Sequence, residues 1–209
     1  MTKKIAIRKA SVSDVDEIVK IHIDAFKGFF LTSLGESFLK FYYNCFIKSH
    51  DTIILVAISD NKDLLGFSAA TKFCKGFNSR LIKSNLFAFS ILSLKMLFTD
   101  PKSLFRLVKN LTKKGNSIED DEDYAELYSI GVNKIAQGLG IGKKLMGEME
   151  KEMAREGVER ISLTTDFYNN EQAVGFYHAM GYETLYEFVA YPNRKMYRLI
   201  KNINCIVNI

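Results

Sequence analysis

Residues 137 to 153 read QGLGIGKKLMGEMEKEM, placing three glycines within five positions and then running straight into an amphipathic helix. Glycine supplies the φ > 0 conformations of tight turns, and main-chain N–H groups at a helix start have no intrahelical partner. Where no side chain shields them, those amides bind phosphate through geometry and the helix dipole alone. Two common phosphate loops fail on the letters. A dinucleotide G-x-G-x-x-G opening at Gly138 would need glycine where Lys143 stands. A P-loop ending at Gly142-Lys143 would need glycine in place of Gln137 and a hydroxyl residue in place of Lys144. What remains is Q-x-x-G-x-G on Gln137, Gly140 and Gly142, with a helix from about Ile141, and it predicts an anion site suited to a pyrophosphate.

The flanking patterns set the fold class. KIAIRKA alternates like a strand, and SVSDVDEIVKIHIDAF follows with Ser13 or Asp14 as cap and Val15, Ile18, Val19, Ile21 and His22 at helical spacing. SLGESFLKFYYNCFI reads as a second helix. TIILVAIS and LLGFSAATKF are strands joined at Asp60-Asn61-Lys62-Asp63 as a hairpin. Residues 75 to 118 read as helical with a break near Asp100-Pro101, and YAELYSIGV is the strand that feeds the glycine turn. Gly157 ends the helix behind that turn. RISLTT is the next strand, NEQAVGFYHAMG a short helix stopped by Gly181, and YETLYEFVAY with KMYRLIK a closing pair split at Pro192-Asn193. This order predicts an α+β domain over residues 1–209 with a mixed sheet.

Composition narrows the function classes. With 209 residues, 47% of them hydrophobic and 25% charged, the chain can bury a core and has the balance of a soluble protein. Met1-Thr2-Lys3-Lys4 leads into a strand rather than an apolar leader, and the longest uncharged apolar run, Ser84 to Leu94, is too short for a bilayer. A cytoplasmic location is expected. Cys45, Cys74 and Cys205 lack ligand spacing and do not cluster with His22, His50 or His178, so reduced cysteines and no metal are expected. The net charge of +5 is uneven: residues 72 to 114 carry ten Lys or Arg against Asp100 alone, and residues 119 to 126 carry six carboxylates. The basic stretch has no nucleic-acid motif, so nucleic acid is not the expected partner.

Taken in order, these segments resemble the GNAT superfamily of N-acetyltransferases over nearly the whole chain, the basic stretch aside. AELYSIGV is similar to the family's fourth strand and QGLGIG to its acetyl-coenzyme A pyrophosphate loop. Asn170-x-x-Ala173-x-x-Phe176-Tyr177-x-x-x-Gly181-Tyr182 is similar to its last helix, and the opening IRKASVSDVDEIVKIHIDAF and hairpin LVAISDNKDLLGF fit as well. Lys134 departs from the pattern, standing where the family often has proline. The resemblance implies a mostly antiparallel central sheet of about seven strands flanked by helices, with residues 75–118 as a helical insertion between the third and fourth strands. It implies acetyl transfer from acetyl-coenzyme A to a primary amine by direct attack in a ternary complex. The acceptor would be an amino sugar, another small amine, or a peptide N-terminus or lysine. A non-catalytic acyl-coenzyme A sensor is the alternative.

Acetylating an amine makes two demands. An alkyl ammonium near pKa 10.4 costs roughly 4.6 kcal/mol to deprotonate at neutral pH, so a base or a desolvating channel is needed. The resemblance assigns Glu126 to that role, with Asp123 and Asp166 in reserve. The leaving thiolate, near pKa 8.5, calls for a donor that is neutral at about pH 7, and the resemblance assigns Tyr177. It gives Ile130, Gly131 and Val132 backbone hydrogen bonds to the pantetheine and the thioester carbonyl. The pyrophosphate falls to Gln137, Gly138, Leu139, Gly140, Ile141, Gly142 and Lys143; Lys143 and Lys144 either add charge there or lie on a solvated basic face. Ala173, Tyr177 and Asn170 are counted among the coenzyme contacts, Asn170 alternatively being only a helix cap. No cysteine is placed to carry the acetyl group.

The basic stretch falls outside the resemblance. RLIKSNLFAFSILSLKMLF is apolar around too much of its circumference for a surface helix of a monomer. It packs on its own domain or on a second subunit of a homodimer, or else it forms a lid for an anionic acceptor or touches a membrane surface. The acidic block behind it is expected to be a solvated loop.

Overall fold

The computed structural model describes residues 5–99, 101, 104–105, 120–190 and 193–203. Its sheet has seven strands: β1 (Ala6–Lys9), β2 (Thr52–Ile58), β3 (Leu64–Thr71), β4 (Ala125–Val132), β5 (Arg160–Asp166), β6 (Glu183–Ala190) and β7 (Arg194–Asn202). They lie in the order β1-β2-β3-β4-β5-β7-β6. Only β4 and β5 run parallel; every other neighbouring pair is antiparallel. The mostly antiparallel seven-stranded sheet implied by the resemblance is therefore present.

Helices α1 (Val15–Ala25), α2 (Phe30–Ser33) and α3 (Glu36–Lys48) belong to one face of the sheet, and α6 (Ile141–Arg155) packs on the other. The run IILVA in β2 shows why both faces are covered. Ile54 and Val56 enter the cluster with Ile18, Val19, Leu39 and Phe46, whereas Ile53, Leu55 and Ala57 enter the cluster with Leu145, Met146 and Met149. A strand buried on both sides is continuously apolar rather than alternating. Gly66 lets α6 lie close to the sheet: a Cβ there would stand 2.9 Å from the Gly131 carbonyl and 3.2 Å from the Ile141 and Leu145 side chains. Helix α7 (Glu171–Ala179) connects β5 to β6.

Two local expectations change. Asp14 precedes α1 but its carboxylate does not cap that helix; it accepts from the Ser11 N–H at 2.7 Å and from Arg8 at 2.7 and 2.8 Å. The Arg8 guanidinium holds the Asp14 carboxyl down at about 2. The insertion between β3 and β4 has an additional break at Asn85, which divides it into α4 (Phe77–Ser84) and α5 (Leu86–Thr99), and the expected break at Asp100-Pro101 falls just past the last described residue of α5. The Asn85 side chain donates to the Leu81 carbonyl at 2.9 Å, drawing off an acceptor at the end of α4. Asp100 and residues 106–119 lie outside the described residues.

Candidate active site

Strand β4 is paired on both edges only at its start. Ala125, Glu126 and Leu127 pair with Ile161, Ser162 and Leu163 of β5; from Tyr128 to Val132 that edge meets no strand among the described residues. The parting coincides with a bulge. The β3–β4 register passes from Ala70↔Leu127 to Ala69↔Ser129, so Tyr128 is an extra residue. Ala125 and Leu127, then Ile130 and Val132, pack on the α6 side, while Tyr128 joins the α1–α3 cluster. Bulges bend a strand and raise its twist, which turns β4 away from β5. The gap holds a cavity of about 450 Å³. Its walls come from Leu127–Ile130, Leu163–Thr165, and Asn170, Ala173 and Tyr177 at α7; His22, Phe29, Arg194 and Met196 close other sides.

The glycine turn leads from β4 into α6. A 3₁₀ turn at Lys134–Ala136, opened by Asn133 accepting the Ile135 N–H at 3.2 Å, takes the place of the family's proline. Gly138 and Gly140 then adopt φ of +79° and +72°. A Cβ at either would meet nothing within 4 Å, so backbone conformation and not crowding requires glycine, and the space in front of the turn is open. Lys144 N–H bonds the Gly140 carbonyl at 3.1 Å, leaving the amides of Ile141, Gly142 and Lys143 at the open mouth of the helix. The Ile141 side chain is buried as an anchor, whereas Gln137, Leu139 and Lys143 are exposed. A Cβ on Gly142 would lie 3.6 Å from the Phe176 ring, so α7 stands beside the mouth of α6.

Asn170, Ala173 and Tyr177, on α7 and its approach, border the cavity. Asn170 stands at the N-cap position of α7 but its side chain does not cap the helix: its amide donates to Thr165 Oγ1 at 2.6 Å and to the Asp166 carbonyl at 3.1 Å, tying the head of α7 to the end of β5. Ala173 lines the wall one turn further on. Tyr177 has no hydrogen-bond partner for its hydroxyl among the described residues, and burial pushes its phenol up to about 12, so it is neutral at physiological pH.

Glu126 lies outside the cavity lining, two residues before Tyr128, which is in it. Its Oε1 accepts from Arg198 Nη1 at 2.5 Å and its Oε2 from the Cys74 thiol at 3.1 Å. The Glu126 and Arg198 side chains are only 12% and 13% exposed. The two reserve carboxylates are also engaged. Asp123 is exposed and faces Arg160 at 3.7 Å, and Asp166 forms a two-pronged ion pair with Arg194. Asp121, Glu122 and Asp123 of the acidic block are exposed, as expected of a solvated loop, but the head of the block is tied to the fold. Asp120 accepts the Tyr124 and Tyr186 hydroxyls at 2.5 and 2.6 Å, and Asp121 pairs with Arg160 at 3.0 Å. No group of three or more His, Cys, Asp or Glu is placed to hold a metal among the described residues.

Sequence reasoning missed three residues here. Arg198 and Arg194, both on β7, reach Glu126 and Asp166. Helical spacing puts His22 on a core face of α1, and it is buried, but it also lines the cavity. Its Nδ1 shares a 2.7 Å hydrogen bond with the Tyr43 hydroxyl, and its Nε2 has no partner among the described residues. Burial lowers its pKa to about 4, so the imidazole is neutral. A polar residue inside an apolar stripe was the signal available.

Residues 15–182 match the Acetyltransferase (GNAT) family. The chain belongs to that family. It is thus a GNAT acetyltransferase, and the family uses acetyl-coenzyme A as its acetyl donor. Solved structures share the fold at low identity. The ribosomal-protein-S18-alanine N-acetyltransferase of Escherichia coli is 13% identical, with 96% of this chain and 94% of that one covered at a TM-score of 0.60. An N-acetyltransferase from Staphylococcus aureus Mu50 is 15% identical, with 96% and 99% covered and a TM-score of 0.62. The spermidine/spermine N-acetyltransferase of Vibrio cholerae is 14% identical, with 98% and 96% covered and a TM-score of 0.59. A search of curated protein sequences gives no match. No helix of this GNAT chain is long and apolar enough to cross a membrane among the described residues.

Proposed function

We propose that this GNAT enzyme transfers the acetyl group of acetyl-coenzyme A to the primary amine of a small molecule, such as an amino sugar, by direct attack in a ternary complex. The observation that carries this reading is the parting of β4 from β5 after Leu127 and Leu163, which opens a cavity of about 450 Å³ with Asn170, Ala173 and Tyr177 in its wall. The bare edge of β4 supports backbone hydrogen bonds from Ile130, Gly131 and Val132 to the pantetheine arm and thioester carbonyl. The open amides of the turn, from Gln137 to Lys143, support pyrophosphate binding.

Glu126 is the proton acceptor in this scheme, directly or through water. Its Oε1 is committed to Arg198, whereas Oε2 meets only a thiol, a weak donor that an ammonium or water readily displaces. Burial and the Glu126 carboxylate push the Cys74 thiol up, so it stays protonated and carries no acetyl group. As the new C–N bond forms, the amine proton goes to Glu126 and the C–S bond breaks. Magnitudes decide the role of Tyr177. Its phenol at about 12 stands about 3.5 pKa units above a thiol near 8.5, so complete proton transfer costs roughly 4.8 kcal/mol. A hydrogen bond to the departing thiolate instead contributes about 1.5–3 kcal/mol. Tyr177 therefore steadies the leaving sulfur.

The neighbours named above act on a ribosomal-protein alanine and on spermidine or spermine, so the choice of acceptor rests on the cavity. There the Arg194 guanidinium lies 4.3 Å from the centre of the Phe29 ring, joining β7 to the segment before α2, and a mouth bridged in this way favours a small amine over a polypeptide. Thiol release from acetyl-coenzyme A, followed across amino sugars, polyamines and peptides, tests this. One small amine should turn over, and Glu126→Gln should lower kcat on the order of 100-fold while calorimetric affinity for the coenzyme is kept. Turnover of peptides alone would overturn the small-acceptor assignment, and coenzyme binding without turnover of any amine would make the chain a sensor.

A further inference from the structure

We infer that α5 is a docking face for an anionic lipid bilayer surface. The helix is held to the protein on one side, where Phe89 packs edge-on against Phe41 of α3 with ring centres 4.8 Å apart. On the opposite side Phe87, Ile91, Leu94 and Phe98 are 80%, 55%, 59% and 80% exposed. Their spacing of four, three and four residues places them within a narrow arc of an α-helix, extending about 16 Å along its axis. A row of large apolar side chains, two of them phenylalanines almost fully in water, is not the ordinary surface of a monomer.

Charge selects the occupant. Residues 72 to 114 hold ten Lys or Arg and one acid, and Lys75 and Lys83 of the described part are exposed. Lys72 and Arg80 are already paired with Glu156 and Asp51; a second copy docked through this face would still bring two net-basic stretches together, whereas an anionic bilayer attracts the remaining cations and admits the apolar row. Nucleic acid would satisfy the charges and leave the row in water. The 14 residues of α5 reach about 21 Å, short of the roughly 30 Å hydrocarbon core, so the helix lies on the surface and does not cross it.

The test is flotation of the full-length protein with phosphatidylcholine vesicles and with vesicles containing about 30% phosphatidylserine. Wild type should partition into the anionic vesicles at least about tenfold better, and raised salt should weaken that binding. Phe87→Asp with Phe98→Asp should reduce binding on the order of 100-fold, and Lys75→Glu with Lys83→Glu should weaken it on anionic vesicles only. Circular dichroism and coenzyme affinity check that each variant folds, which is expected because all four side chains face solvent. Absence of binding to the anionic vesicles, or equal binding by folded wild type and the phenylalanine variant, overturns the proposal. So does a wild-type dimer that the phenylalanine pair converts to a monomer with no vesicle binding in either form, since the face then belongs to a second copy. None of these outcomes depends on acetyl transfer.

Discussion

From Ala125 to Leu127, β4 is bonded to a strand on both edges and carries Glu126 locked against Arg198; from Tyr128 to Val132 it is bonded on one edge and leaves its backbone on the other. The first half buries charge, which is tolerable only with a partner of opposite sign. The second half offers polar atoms that cost no charge to bury, and their availability comes from strand geometry rather than from any side chain. In the proposed scheme the contrast separates the work of the site: fixed ions manage the proton, and bare main chain receives the thioester arm.

The sharpest way to break that contrast is to remove the counter-ion. Arg198→Met strands the buried Glu126 carboxylate and should lower stability by about 3–5 kcal/mol, read as a fall in denaturation midpoint. Adding Glu126→Gln should restore most of it, since the pair and not the arginine alone is structural. On the other half of the strand the expected effect is kinetic. Tyr177→Phe should reduce kcat on the order of 10–100-fold with the KM for acetyl-coenzyme A unchanged, measured by thiol release. A smaller cost is expected where the chain leaves β4: Gly140→Ala forces a side chain into φ +72°. That should cost about 1–2 kcal/mol and raise the coenzyme KM roughly tenfold.

The smallest effect lies at an ion pair remote from both halves. The folded pKa of Asp14 is about 2 against an ordinary 3.8, so its contribution is complete above about pH 4 and is lost as pH falls through about 2. Arg8 is 44% exposed, which screens the pair, and about 1 kcal/mol is the expected size. Urea unfolding of Asp14→Asn should run below wild type at neutral pH, and the two curves should converge near pH 2.

Much of this was legible in the letters, for a physical reason. The glycine turn, the helix start at Ile141 and the hairpin at Asp60–Asp63 depend on φ preferences and periodicity within a few residues, and those are local. Arg198 and Glu126 are 72 residues apart in the chain, and the contact exists only because β7 inserts between β5 and β6. No spacing rule encodes that placement. The bulge was hidden for a different reason: Tyr128 stands beside the apolar Leu127, and the letters AELYSIGV do not say which residue is surplus to the β3 register. The break at Asn85 has no strong breaker in its letters: Asn44 makes the same side-chain bond to Lys40 inside α3, which runs on to Lys48, so asparagine alone does not mark a helix end.

That surplus residue makes the fold tolerant in one sense and brittle in another. Exchanging one apolar side chain for another in the core repacks locally, but deleting Tyr128 would leave Ile130 and Gly131 on their present faces and take away the bend that parts β4 from β5, closing the cavity between them. A lineage descended from this chain can drift widely in composition, yet it inherits the length of this short segment as an integer it cannot change by one.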